Sequence, residues 1–300
     1  MFPIIPANTA ASFPENDEGI FGYGLNSSAT PVAMSNLVSN AGVVASDVAG
    51  VGTVRYDLAA CEYGGDKGIF GYGCCDPFSM TNLVSNAGVI SSDVAGVGTA
   101  RHMLAACGYG EDKGIFGYGH DGNSNVSTTN LVSNAGVVSS DVVGVGTARR
   151  GLKACEYGGD KGIFGYGYTD TQVSMSNLVS NAGVVSSDVA GVGTVRLGAS
   201  ACGYGGDKGI FGYGHDGSSV VSMTNLVSNA GVVASDVAGV GTDRSYSAAC
   251  EYGGDKGIFG YGDDGSKVSI TNLVSNAGVV ASDVAGVGTV RRSPAACSFN

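Results

Sequence analysis

The chain has 300 residues and a formal net charge of −11, with 15 Lys and Arg against 26 Asp and Glu. This balance, with no basic patch to offset it, disfavours nucleic acid and anionic lipid as partners. Glycine supplies 52 residues, well above the ordinary level of about 7%; no Gly-X-Y period runs through them, which excludes collagen, and the chain is too apolar and too periodic for disorder.

Taken in chain order, the opening MFPIIPANTAASFPENDE has no basic n-region and no long apolar core, so it is not read as a secretory signal. No apolar run reaches about 18 residues, so no membrane insertion is expected. One unit then repeats. Gly-Ile-Phe-Gly-Tyr-Gly begins at Gly19, Gly68, Gly114, Gly162, Gly209 and Gly257, a period of 46 to 49 residues. Six such units form one body, because a single unit cannot bury its own apolar face.

Helix signals are nearly absent, since glycine recurs too often for a helix interior. The third unit divides into four strand-like pieces. The first is Leu104 to Tyr109, followed by a turn at Gly110-Glu111-Asp112. The second is Lys113 to Tyr118, where alternation predicts Phe116 and Tyr118 on one face and Ile115 and Gly117 on the other. The third is Val126 to Ser133, and Asn134-Ala135-Gly136 supplies a hairpin turn before the fourth, Val137 to Val142. Four antiparallel strands per unit, repeated radially, predict a β-propeller blade.

Length varies between units at one place, after Gly-Tyr-Gly: 25–33, 74–79, 120–127, 168–173, 215–222 and 263–268. Identity varies at a second, just after the repeat Arg: Tyr56-Asp57, His102-Met103, Arg150-Gly151, Leu197-Gly198, Ser245-Tyr246 and Arg292-Ser293. Two Asn-x-Ser matches, at Asn26 and Asn125, are of a kind that chance supplies at this length.

The repeated chemistry favours structural roles. Arg55, Arg101, Arg149, Arg196, Arg244 and Arg291 would make a costly ring of like charge unless each pairs with an Asp of Ser-Asp-Val: Asp47, Asp93, Asp141, Asp188, Asp236 and Asp283. Cys61, Cys107, Cys155, Cys202, Cys250 and Cys297 lie one repeat apart, too far for disulfides, and read as small buried apolar residues rather than metal ligands. Cys74 and Cys75 stand in a variable loop, and their redox state is open. His120-Asp121 and His215-Asp216 read as polar turns before acid–base pairs. The Phe and Tyr of the repeat are expected to pack unit against unit. No P-loop, Gly-x-Ser-x-Gly or His-Glu-x-x-His occurs, so no enzyme, cofactor or metal is expected.

The run Arg-x-x-x-Ala-Ala-Cys-x-Tyr-Gly-Gly-Asp-Lys-Gly-Ile-Phe-Gly-Tyr-Gly resembles a kelch repeat, with Tyr-Gly in place of the Gly pair and no Trp. The resemblance covers nearly the whole chain. It implies that Ala-Ala-Cys is the innermost strand, that its Cys or Ala residues ring a central channel, and that both variable patches share one face. It also implies closure by a terminal strand, here 293–299 or 8–13. The wording of the repeat and the opening IIPANTA resemble virion proteins of tailed phages of aquatic bacteria.

The expectation is therefore an all-β, six-bladed, kelch-like propeller of four-stranded antiparallel blades, one domain over 1–300. It would be a non-enzymatic binding or structural module of a virion or extracellular assembly, recognising a protein or glycan. The binding residues expected on the loop face are Tyr56, Asp57, His102, Arg150, His120, Asp121, Tyr168, His215, Asp216, Asp263, Asp264 and Arg292. The alternative is a self-associating filament subunit joined through terminal strands or stacked faces.

Overall fold

A computed structural model describes residues 17–74 and 76–299, which are all-β with no helix. The candidate strand 8–13 and Cys75 lie outside the described residues. Six three-stranded antiparallel sheets follow one another, and a two-stranded pair joins Leu25–Asn26 to Arg291–Arg292. In the third unit the strands are Ala105–Tyr109, Lys113–Gly117 and Thr129–Val132. The register sets Cys107 opposite Ile115, and Ile115 opposite Leu131.

The first sheet is assembled from both ends of the described chain. Ala295–Phe299 pairs with Glu18–Gly22, which pairs with Ser35–Val38. Each first strand is adjacent to those of the sheets before and after it, and Ala295–Phe299 neighbours both Ala248–Tyr252 and Ala59–Tyr63. The order of neighbours thus closes on itself.

Each sheet has three strands where four were expected. The fourth piece of the first unit makes only two isolated bridges, Val38 to Val44 and Ser35 to Val48, and the register slips by one residue between them. That slip is a β-bulge. Asn36 sits beside it and donates to the Ala45 carbonyl at 3.0 Å and to Asp47 Oδ1 at 2.9 Å. A side-chain amide has taken ladder positions that a regular strand would fill from its backbone.

The expected side for Tyr118 is also corrected. Its φ of 62° is left-handed, which breaks the period-two alternation. Tyr118 therefore packs with Ile115, while Phe116 joins the neighbouring cluster. The twist places Tyr118 edge-on to Phe164 of the next unit at 5.2 Å and leaves Phe116 edge-on to Tyr72 of the preceding one at 5.1 Å. The same contact joins the last unit to the first, Tyr261 to Phe21, at 5.1 Å. Each such pair is worth about 0.5–1.5 kcal/mol beyond its buried area, which helps to offset the backbone strain at the tyrosine.

The cysteines fill the seams between sheets. A Cβ built on Gly162 would stand 2.5 Å from Cys107 Sγ and 3.1 Å from the Gly108 carbonyl oxygen. The close approach, rather than any turn, requires glycine there. Gly162→Ala is expected to lower stability by about 1–3 kcal/mol through overpacking. Cys107→Ala in the same chain should recover part of that loss, read from denaturant midpoints; a double variant no better than Gly162→Ala would refute the packing.

Candidate functional site

The residue after each repeat Arg bridges the residue after Gly-Tyr-Gly. Tyr56 pairs with Cys74, His102 with His120, Arg150 with Tyr168, Leu197 with His215, and Ser245 with Asp263; Arg292 pairs with Leu25. The two variable patches thus form a row of pairs at one end of the sheets. Beneath them the next residues close a circle of six backbone hydrogen bonds at 2.8–3.2 Å: Asp57 N–H donates to Ser293, Met103 to Asp57, Gly151 to Met103, Gly198 to Gly151, Tyr246 to Gly198 and Ser293 to Tyr246.

Most of the expected residues fall on this rim. His102 and His120 meet edge-on at 5.4 Å, and His102 Nδ1 is buried with no hydrogen-bond partner. Burial lowers the His102 pKa, with Asp57 opposing. Arg150 lies over the Tyr168 ring at 4.9 Å, and Arg292 pairs with Asp263 at 3.2 Å. Burial raises the Asp57 carboxyl, against a hydrogen bond from Ser293 and the charges of His102, Lys153 and Arg292. The His-Asp pairs are turns. His120 Nδ1 accepts from Gly122 N–H at 3.1 Å, and Asp121 accepts from Asn123 and Ser124 N–H at 2.8 Å each. His215 and Asp216 repeat this arrangement, while Asp263 and Asp264 accept from Gly265 and Ser266.

The repeat arginines stand apart from the rim, fully buried. Arg149 Nη2 donates to Asn177 Oδ1 at 2.7 Å, Nε to the Tyr166 carbonyl at 2.9 Å, and its guanidinium lies 4.5 Å from the Tyr118 ring centre. The anticipated ion pair is present but long, at 4.0 Å to Asp188. The nearer partner, Asn177, is the first Asn of Asn-Leu-Val-Ser-Asn, which the sequence reading passed over. Asp188 is held instead by the Thr147 hydroxyl at 2.6 Å and by Asn177 at 2.9 Å. In the last of these clamps Asp47 is drawn down in pKa: burial opposes, but hydrogen bonds from Thr289 and Asn36 and the Arg291 charge outweigh it.

The space enclosed by the first strands is lined by Ala60, Ala106, Ala154, Ala201, Ala249 and Ala296, while the Cys sulfurs turn into the seams. At its far end stands a feature the sequence reading missed. The residue after each Cys runs Glu62, Gly108, Glu156, Gly203, Glu251, Ser298. Each Glu leans over the small residue of the preceding sheet. A Cβ on Gly108 would overlap the Glu156 carboxylate, one on Gly203 would overlap that of Glu251, and Ser298 N–H donates to Glu62 at 3.3 Å. The signal was an alternation across units, invisible within any one of them.

Burial and then the Glu62 and Glu251 charges push the Glu156 carboxyl well up, and burial with Glu62 raises Glu251 to about 8. A raised folded pKa means that the folded chain holds protons which the unfolded chain releases. Stability from these groups is full below the unfolded carboxyl pKa and is lost as pH rises towards 8. The expected result is a decline on the order of 2 kcal/mol between pH 5 and pH 8 in urea unfolding. Glu156→Gln with Glu251→Gln should flatten it. An unchanged slope in that double variant would refute the assignment.

No protein-family model matches the chain, and no curated protein matches it. No helix among the described residues is long and apolar enough to cross a membrane.

Proposed function

We propose that the chain is a six-bladed, kelch-like β-propeller that works as a non-enzymatic binding platform on a virion or extracellular assembly. Cyclic adjacency of the six sheets supports the architecture. One observation carries the function: among the described residues, the stretches that differ most between units in length and identity pair with each other at one end of the sheets. Variation gathered on one rigid rim is what a recognition surface requires. Protein or glycan is the partner class. The test is a glycan array with the intact chain, repeated with Tyr168→Ala, His215→Ala and Arg292→Ala. Retained melting temperature with a tenfold or greater loss of signal is expected. Binding that survives all three variants would overturn the reading.

A second reading, stacking into filaments, is favoured by the opposite face. Val43, Val89, Val137, Val184, Val232 and Val279 are each 63–66% exposed at the hairpin tips there. Exposed apolar groups in a regular circle suit a second copy of the same face. Solution mass separates the two readings.

A further inference from the structure

Three of the variable loops turn on the side chain of their first residue. In the third unit His120 Nδ1 accepts from Gly122 N–H at 3.1 Å, and in the fifth His215 Nδ1 accepts from Gly217 N–H at 3.0 Å. In the sixth the acceptor is a carboxylate, and Asp263 Oδ1 receives Gly265 N–H at 3.0 Å. The three glycines share one backbone shape, with φ of 98°, 105° and 112°. The same first residues bridge His102, Leu197 and Ser245 across the seams, so each turn is fastened to the rim.

The two kinds of acceptor differ under acid. A carboxyl oxygen keeps a lone pair in either protonation state. An imidazole accepts at Nδ1 only while that nitrogen is bare, because both nitrogens of the imidazolium donate. Histidine is also the side chain whose charge ordinarily changes between about pH 5 and pH 8. We propose that His120 and His215 make two loops of the recognition face acid-sensitive: a proton taken up at Nδ1 sets an N–H against the glycine N–H and releases that end of the turn, while the loop of the sixth unit keeps its shape. The inference rests on the binding-platform reading and adds its regulation.

The surroundings confine the change to the glycine. Facing His120 are the His102 ring, edge-on at 5.4 Å, and its own Asp121; His102 is in turn set against Asp57 and Arg150, and Arg150 bonds Asn125 at the other end of the loop. Facing His215 are Leu197, in the place of His102, and Asp216; Asp243 bonds Ser222 at the other end of that loop. From the preceding units Pro77 reaches Gly122 and Gln172 reaches Gly217, both uncharged. Hydrogen bonds from Ser124 and Asn123 N–H hold the Asp121 carboxyl below its ordinary pKa, and those from Ser219 and Ser218 N–H do the same for Asp216. These carboxylates stay charged and keep their own part of each turn.

The test measures amide exchange by NMR on the intact, nitrogen-15-labelled protein at about pH 7.5 and about pH 5, each rate taken relative to an unstructured glycine or serine at the same pH. Protection of Gly122 and Gly217 should fall by about fivefold or more at the lower pH, while Gly265, Ser124 and Ser219 keep theirs. His215→Asp turns Gly-His-Asp-Gly-Ser into the Gly-Asp-Asp-Gly-Ser of the sixth unit, so it suits the same turn, and it should remove the response at Gly217. Asp263→His should confer the response on Gly265. Unchanged protection at Gly122 and Gly217, or a response at Gly217 that survives His215→Asp, overturns the proposal. Any ligand found on the glycan array should bind less at the lower pH, and whatever signal remains in the His120→Asp, His215→Asp double variant should be the same at both. Equal binding by the unaltered chain at both pH values overturns the regulatory role. An amide response with no ligand at either pH supports the acid-sensitive turns and counts against the platform alone.

Discussion

Ending the chain before Ala295 is expected to abolish cooperative folding. The missing strand is the partner of Glu18–Gly22 along five residues, from Glu18 with Phe299 to Gly22 with Ala295. Its side chains are core on both flanks. Phe299, Cys297 and Ala295 pack with Ile20, Phe70 and Val84, and Cys297 Sγ fills the seam over Gly68. The Ser298 hydroxyl accepts from Glu251 N–H at 2.9 Å and donates to the Glu251 carbonyl at 3.1 Å, which ties the last sheet to the first. Burial of Phe299 alone is worth about 1.5–3 kcal/mol. With the ladder and the seam, the loss approaches the total stability of about 5–15 kcal/mol that folded domains possess. Ala10-Ala11-Ser12 repeats the motif near the start, but it offers a poor replacement. In that register Pro14 falls where the second unit has Tyr63, without an N–H to give, and Phe13 falls at the place of Glu62. Circular dichroism melting should show no sharp transition in the truncated chain. A transition within a few degrees of the full-length protein would refute closure by this strand.

Arg149→Ala is the second large effect expected. The guanidinium joins two units: it donates to Asn177, Tyr166 and the Thr147 carbonyl, and covers the Tyr118 ring. Alanine leaves Asn177 Oδ1 and the Tyr166 carbonyl without their donor in a buried seam, beside a cavity. Breaking a buried charged network of this kind costs about 3–5 kcal/mol. At about 2–4 °C per kcal/mol for a chain of this size class, the melting temperature should fall by roughly 10 °C. Arg149→Lys should rescue little, because an ammonium cannot reach three acceptors in the plane of a guanidinium. A loss below about 1 kcal/mol would show that the seam is wet and the arginine dispensable.

Much of the frame was legible because it is written six times. The Gly-Ile-Phe strand, the Asn-Ala-Gly turn and the pairing of first and second strands follow from period-two runs between turn residues. Gly136 at the turn has the positive φ, 74°, that its type suggests. What escaped did so for physical reasons. The fourth strand was read from a valine-rich run, but the Asn36 amide competes for its carbonyls and a bulge replaces the ladder. Tyr118 was placed by alternation, which a left-handed residue reverses. The arginine was assigned to Asp188 by charge, whereas Asn177 lies nearer and the aspartate serves Thr147. The Glu–Gly alternation around the enclosed space exists only in the comparison of neighbours, since Glu156 needs a glycine on the preceding strand at Gly108. On the rim, the sequence could mark which residues vary, but not which would bridge which, as His102 bridges His120 and Arg150 bridges Tyr168.

Small-angle scattering with mass measured in the same run tests most directly that one chain closes into a ring with a free variable face. The account predicts a monomer of 29.7 kDa with a radius of gyration of about 19 Å, the value for a compact chain of this length. Stacked or end-to-end polymers, or a monomer substantially more extended than this, would contradict it.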